Sequence, residues 1–174
     1  GGWTDSVEYG GLCVPAVTCP QLSGSYQSGG GADGSGDGYI RTDSGALTVT
    51  ALLSTSTHTW LSPAFTYNGI EGQVPDNLRF SLSVNPGVTE LLNLGVNVKV
   101  TARAIALSGG GDRTLVDEVS PGKAGGWKTI NGQVGPDALQ VGKSYRIEIS
   151  VSIGGLAAVL PAGSIGFDDV ALRA

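Results

Sequence analysis

The sequence predicts an all-β chain built as a two-sheet antiparallel sandwich, and three observations carry that expectation. Apolar and polar residues alternate with a period of two through four long runs. Turn-forming dipeptides separate those runs. The composition pairs 29 glycines with only 14% charged residues, a balance that suits strands and tight turns better than amphipathic helices.

The first run is Leu47, Val49, Ala51 and Leu53, alternating with Thr48 and Thr50. The second is Leu78, Phe80, Leu82 and Val84, interleaved with Arg79, Ser81 and Ser83. The third sets Val96, Val98, Val100, Ala102, Ala104 and Ala106 against Asn97, Lys99, Thr101 and Arg103. The fourth places Tyr145, Ile147, Ile149, Val151 and Ile153 against Arg146, Glu148, Ser150 and Ser152. Each run offers one face to a core and one to water, as antiparallel sheets do. Turns are expected at Asn85-Pro86-Gly87, Ser108 to Asp112, Pro121-Gly122, Asn131-Gly132 and Gly154-Gly155. Shorter strands are expected near 38–43, 57–61, 64–67, 113–119, 126–130 and 164–173, which makes about ten in all. The helix-like stretch Thr89 to Leu94 is too short to cover a sheet face.

A length of 174 residues fits one domain, or one domain with a short appendage. The expected division is an N-terminal segment at 1–20 and a sandwich at 21–174. A net charge of −5 and the lack of a basic cluster argue against nucleic acid as a partner. No apolar run approaches the roughly 18 residues that span a bilayer, so membrane insertion is not expected. With no methionine and no leader-like segment, the sequence is expected to start at a processed boundary.

Cys13 and Cys19 flank Pro15 without a neighbouring histidine or further cysteine, which is a poor zinc pattern. A local disulfide is the expected reading, and it implies an oxidising, extracellular setting. The stretch Ser28 to Gly38 has glycine at six of eleven positions. It reads either as a plain connecting loop or as a loop that wraps a cation through Asp33 and Asp37.

The end of the chain breaks parity. Ile165 and Phe167 share one face, whereas Val170 and Leu172 continue at even positions. For all four to reach one core, the strand must absorb an extra residue near Asp168–Asp169, which predicts a β-bulge. A bulge can gather carbonyls and a carboxylate around a hard cation. The alternative is that both acids simply face solvent.

Four segments carry a family resemblance: Thr59 to Tyr67 (TWLSPAFTY), Gly125 to Ile130 (GGWKTI), Gly142 to Val151 (GKSYRIEISV) and the closing GSIGFDDVALR. In that order they resemble the strands of carbohydrate-binding-module jelly rolls with the galactose-binding-like fold, including modules of secreted actinobacterial proteins. The resemblance covers about residues 20–174. It implies jelly-roll topology, a polysaccharide or cell-surface glycan as partner, and a structural Ca2+ held by an Asp of the terminal pair. Asp168 or Asp169 matches that pair. The usual N-terminal ligand motif is missing, and Glu8 is the nearest substitute.

Sugar recognition needs aromatic faces for pyranose rings. Trp127, Trp60 and Tyr39 are the leading candidates, with Trp3, Tyr26 and Tyr67 beside them. Trp60 lies in strand context beside Leu61 and Phe65, where a packing role competes with a binding one. Trp127 follows Gly125-Gly126 at a strand start and reads equally as core or as loop rim. Trp3 lies in a loose end.

Enzymatic readings find little support. His58 is the one histidine and sits between Thr57 and Thr59 in an expected strand, a surface or hydrogen-bonded residue rather than a catalyst. No GxSxG elbow is present, and Asp117 and Glu118 point to opposite sides of a strand. Two non-catalytic expectations follow. One is an extracellular carbohydrate- or surface-binding module. The other is a structural subunit or repeat of a filament or adhesin, assembling with other copies of itself through residues 1–20 or a sheet edge.

Overall fold

The computed structural model describes residues 2–34, 36–46, 54–69, 78–86, 96–121, 126–134, 139–155 and 162–173. Eleven strands are described: β1 (Thr4–Gly11), β2 (Leu22–Gln27), β3 (Tyr39–Ser44), β4 (Ser54–Leu61), β5 (Phe65–Thr66), β6 (Arg79–Pro86), β7 (Val96–Ala106), β8 (Arg113–Val119), β9 (Lys128–Gln133), β10 (Ser144–Gly155) and β11 (Gly163–Arg173). The expected strand over 47–53 and the helix-like stretch over 89–94 lie outside the described residues.

Two antiparallel sheets face each other, as expected. One runs β1-β4-β10-β7-β8, with β5 added on β10, and the other runs β2-β3-β11-β6-β9. The pairing is nested: β3 with β11, β4 with β10, β6 with β9 and β7 with β8. That is one long hairpin of eight strands. Pairing of β11 with β6 and of β10 with β7 rolls it into two layers, which is jelly-roll topology.

The alternating runs form the core. Phe80, Leu82 and Val84 of β6 face Val98, Val100, Ala102 and Ala104 of β7 and Ile149, Val151 and Ile153 of β10, all essentially buried. On the outer face of the first sheet, polar residues meet across strands: Thr57 with Ser152 at 3.1 Å and Thr59 with Ser150 at 3.2 Å. Threonine and serine thus satisfy one another on a solvated sheet.

Three expectations need correction. The boundary at residue 20 is not a break in the fold, because β1 pairs with β4 from Thr4 opposite Leu61 to Gly11 opposite Ser54. Val7 and Trp3 pack against the core, so the first residues are an edge of the sandwich and not a loose end. Asn131-Gly132 is not a turn but the middle of β9, opposite Ser81 and Phe80. A Cβ on Gly132 would lie 1.9 Å from the Leu115 carbonyl oxygen, so glycine is present to let β8 and β9 approach, not to reverse the chain. Gly154-Gly155 likewise continues β10, opposite Asn97 and Val96.

The expected disulfide joins Cys13 and Cys19, with Cα atoms 5.3 Å apart. Its loop carries the chain from β1 in one sheet to β2 in the other. Thr18 closes the loop from inside: its hydroxyl donates to the Leu12 carbonyl at 2.8 Å and accepts from the Val14 amide at 2.7 Å.

Candidate functional site

The bulge anticipated from parity is present in β11. Asp168 lies opposite Ser83 and Ala171 opposite Ser81, so three steps on β11 span two on β6. The extra residue lets Ile165, Phe167, Val170 and Leu172 all reach the core. Asp169 takes φ +48°, a left-handed conformation that Asp tolerates better than most residues with a Cβ. The Ser83 hydroxyl donates to its Oδ2 at 3.4 Å.

The glycine-rich loop folds back onto this bulge. The Ala32 amide donates to Asp168 Oδ2 at 2.8 Å, and the Gly31 amide donates to the Asp37 carbonyl at 3.2 Å. A Cβ on Gly31 would stand 2.5 Å from Asp168 Oδ2 and 2.8 Å from the Asp37 carbonyl, so this position excludes any side chain. The Trp127 indole N–H donates to the Gly30 carbonyl at 3.2 Å, securing the other flank.

Trp127 and Tyr39 meet edge to face, with ring centroids 5.0 Å apart. Both stand over Gly166 on the outer face of the second sheet. A Cβ at Gly166 would meet the Tyr39 ring at 2.8 Å and Trp127 Cη2 at 3.1 Å. Beside them a cleft of about 260 Å³ is lined by Trp3, Tyr26, Tyr39, Asp168, Asp169 and Val170, among others. Tyr26 is 61% exposed and Trp127 half-buried. A second depression of about 280 Å³, on the outer face of β6 and β9, shares Asp169 with it and includes Arg79 and Arg173.

The sequence candidates therefore separate. Tyr39 and Trp127 come together with Asp168 and Asp169 around the middle of β11. Trp60 does not join them: it lies in the core at 5% exposure, its indole N–H donating to Thr42 Oγ1 at 3.2 Å. Glu8 is exposed on β1, in the opposite sheet from the aspartates. Among the described residues, no three His, Cys, Asp or Glu side chains gather as a metal-holding group. Trp3 and Tyr26 line the cleft although no local pattern singled them out, since their place is fixed by β1 and β2, two strands without regular apolar alternation.

His58 has a role that the sequence did not reveal. It is fully buried between the sheets, its Nε2 2.8 Å from Asp5 Oδ2 and its Nδ1 2.6 Å from Thr42 Oγ1. The imidazole thus bridges Asp5 and Thr42, and the Trp60 N–H donates to the same Thr42 oxygen. Thr42 itself is 1% exposed, so this line of groups is a polar strut between sheets and offers no nucleophile to a substrate.

No protein-family model matches the chain, and no curated protein matches it in sequence. Solved structures do resemble it. One is a carbohydrate-binding module of the β-sandwich superfamily, at TM-score 0.55 and 10% identity, covering 100% of this chain and 58% of the other. The chain thus spans less than two thirds of that protein's length. Others are the enzymatically active domain of a bacteriophage CBA120 tailspike protein (TM-score 0.46, 11% identity, 99% and 19% of the two chains) and a module bound to β-1,4-galactotriose (0.43, 15%, 88% and 86%). The first likeness establishes the β-sandwich fold.

Proposed function

We propose that the protein is a non-catalytic, extracellular carbohydrate-binding module whose ligand lies along the outer face of the β2-β3-β11-β6-β9 sheet. The observation that carries this reading is the Tyr39–Trp127 pair standing over Gly166. Two aromatic rings are held rigidly over a side-chain-free strand, next to a cleft furnished with the Asp168 and Asp169 carboxylates. Aromatic surface for pyranose faces and fixed acceptors for hydroxyls are the two parts that sugar recognition requires. The disulfide supports an oxidising compartment, and the resemblance to a carbohydrate-binding module in fold points the same way.

The test is affinity gel electrophoresis against a panel of soluble plant, fungal and bacterial polysaccharides. At least one is expected to retard the protein, and Trp127→Ala is expected to weaken that retardation by about tenfold or more, the equivalent of ~1.4 kcal/mol. Retardation by no polysaccharide, or retardation that survives loss of both Tyr39 and Trp127, would overturn the reading.

A further inference from the structure

Arg79 and Arg173 are direct cross-strand partners in the β6–β11 ladder. Their neighbours Phe80 and Leu172, also opposite one another, turn inward to the core. Both arginines therefore project from the outer face, and both are exposed. Like charges set directly opposite on a sheet are destabilising. Two other arginines are ion-paired, Arg41 with Asp43 at 2.7 Å and Arg103 with Asp112 at 3.1 Å and Glu148 at 3.5 Å, and Arg146 donates to the Ser62 carbonyl at 2.8 Å. Among the described residues neither Arg79 nor Arg173 has an ion-pair partner, although the sequence holds 15 acids against 10 bases.

The surroundings of this pair are those of a binding site. The arginines border the depression of about 280 Å³, together with Ser81, Ser83, Thr129 and Asn131. Ser83 lies opposite Thr129 and Ser81 opposite Asn131, so a row of hydroxyl and amide groups adjoins the two guanidiniums. Among the described residues Asp169 is the one carboxylate lining the depression, a single charge against two.

We propose that Arg79 and Arg173 form an oxyanion-binding site that takes a carboxylate or sulfate-ester group of an acidic polysaccharide. Two planar guanidiniums offer the forked N–H geometry that such groups accept. The Tyr39–Trp127 pair over Gly166 and the arginines stand on the same outer face of β11 and its neighbours, so one polymer strand along that face reaches both. The site rests on the sugar-binding reading only for the polymer that carries the anion.

The experiment is isothermal titration of the whole chain with four probes: trigalacturonate, its carboxyl-reduced neutral counterpart, a sulfated galactan trisaccharide and inorganic sulfate. One or both acidic saccharides are expected to bind more tightly than the neutral one, and the excess is expected to shrink as salt rises. Arg79→Gln and Arg173→Gln should each cost the acidic saccharide about tenfold and leave neutral binding unchanged. Trp127→Ala should weaken both. Equal binding of acidic and neutral saccharides, or an acid preference that survives the double arginine variant, overturns the oxyanion site and leaves the sugar reading standing. Sulfate binding that is lost in the double variant, with no saccharide bound at all, upholds the arginine pair as an anion site and overturns the acidic polysaccharide as its source. Silence from all four probes overturns the oxyanion site, and the polysaccharide panel judges the sugar reading separately. Because both side chains are exposed and opposed like charges are relieved, a melting temperature equal to or above the parent's confirms that the variants are folded.

Discussion

Asp168 accepts a hydrogen bond from the Ala32 amide at 2.8 Å, joining the last strand of the sandwich to a loop 136 positions earlier in the chain. A carboxylate that accepts from a backbone N–H makes a charge-assisted bond, roughly 1.5 to 3 kcal/mol in strength. Through it a segment with little apolar content is held beside the Tyr39–Trp127 pair.

Removing that acceptor should free the loop without unfolding the sandwich. Asp168→Ala is expected to speed amide exchange at Ala32 and Gly31 by about tenfold or more and to leave exchange in β10 unchanged. Asn at 168 keeps one carbonyl acceptor and should show an intermediate effect. The measurement is native-state hydrogen exchange, with and without chelator. Dependence on chelator would assign the carboxylate to a cation instead.

His58 is expected to matter for stability far more than its isolation in the sequence suggests. His58→Ala leaves Thr42 and Asp5 each without their imidazole partner, and a void between the sheets. Together these should cost about 2 to 5 kcal/mol, read as a lower denaturation midpoint. Loss of under about 0.5 kcal/mol would contradict the strut.

Gly24 sets how closely β2 can approach the opposite sheet. A Cβ there would meet Asp5 Oδ2 at 2.5 Å and the Trp60 ring at 2.7 and 2.9 Å. Gly24→Ala should therefore destabilise by about 1 to 3 kcal/mol through overpacking. The same change at Gly10, where nothing lies within 4 Å, should be close to neutral. Chemical denaturation of the two variants makes the comparison.

The disulfide closes a short loop, so its expected contribution is about 2 kcal/mol. Replacing both cysteines by serine should lower the melting temperature while leaving polysaccharide retardation intact, because Cys13 and Cys19 line neither depression. Loss of retardation at a temperature where the variant is folded would contradict that separation.

Some of this was legible in the sequence. β7 and β10 follow strict alternation of aliphatic and polar residues, and the structure realises both. The parity break at Asp168–Asp169 foretold the bulge, because a strand cannot turn four apolar side chains inward across an odd step without an extra residue. β1 and β2 were missed because TDSVEYGG and LSGSYQ carry too few apolar residues: an edge strand buries only part of one face. The Tyr39–Trp127 pair was legible as two separate aromatics but not as a pair. Their meeting depends on Gly166, on which the sequence placed no weight. His58 escaped for the same reason, its partners Asp5 and Thr42 coming from strands remote in sequence.

The extra residue in β11 has one more consequence. Before it, inward side chains fall on odd positions, and after it on even ones, so the strand is written in two phases joined at Asp169. Removing Asp169 would merge the phases and still leave Ile165, Phe167, Val170 and Leu172 on the inner side. The wall shared by the two depressions would disappear. A single-codon deletion at this point can therefore erase the recognition surface while sparing the scaffold, which makes the surface a separately heritable trait of the fold.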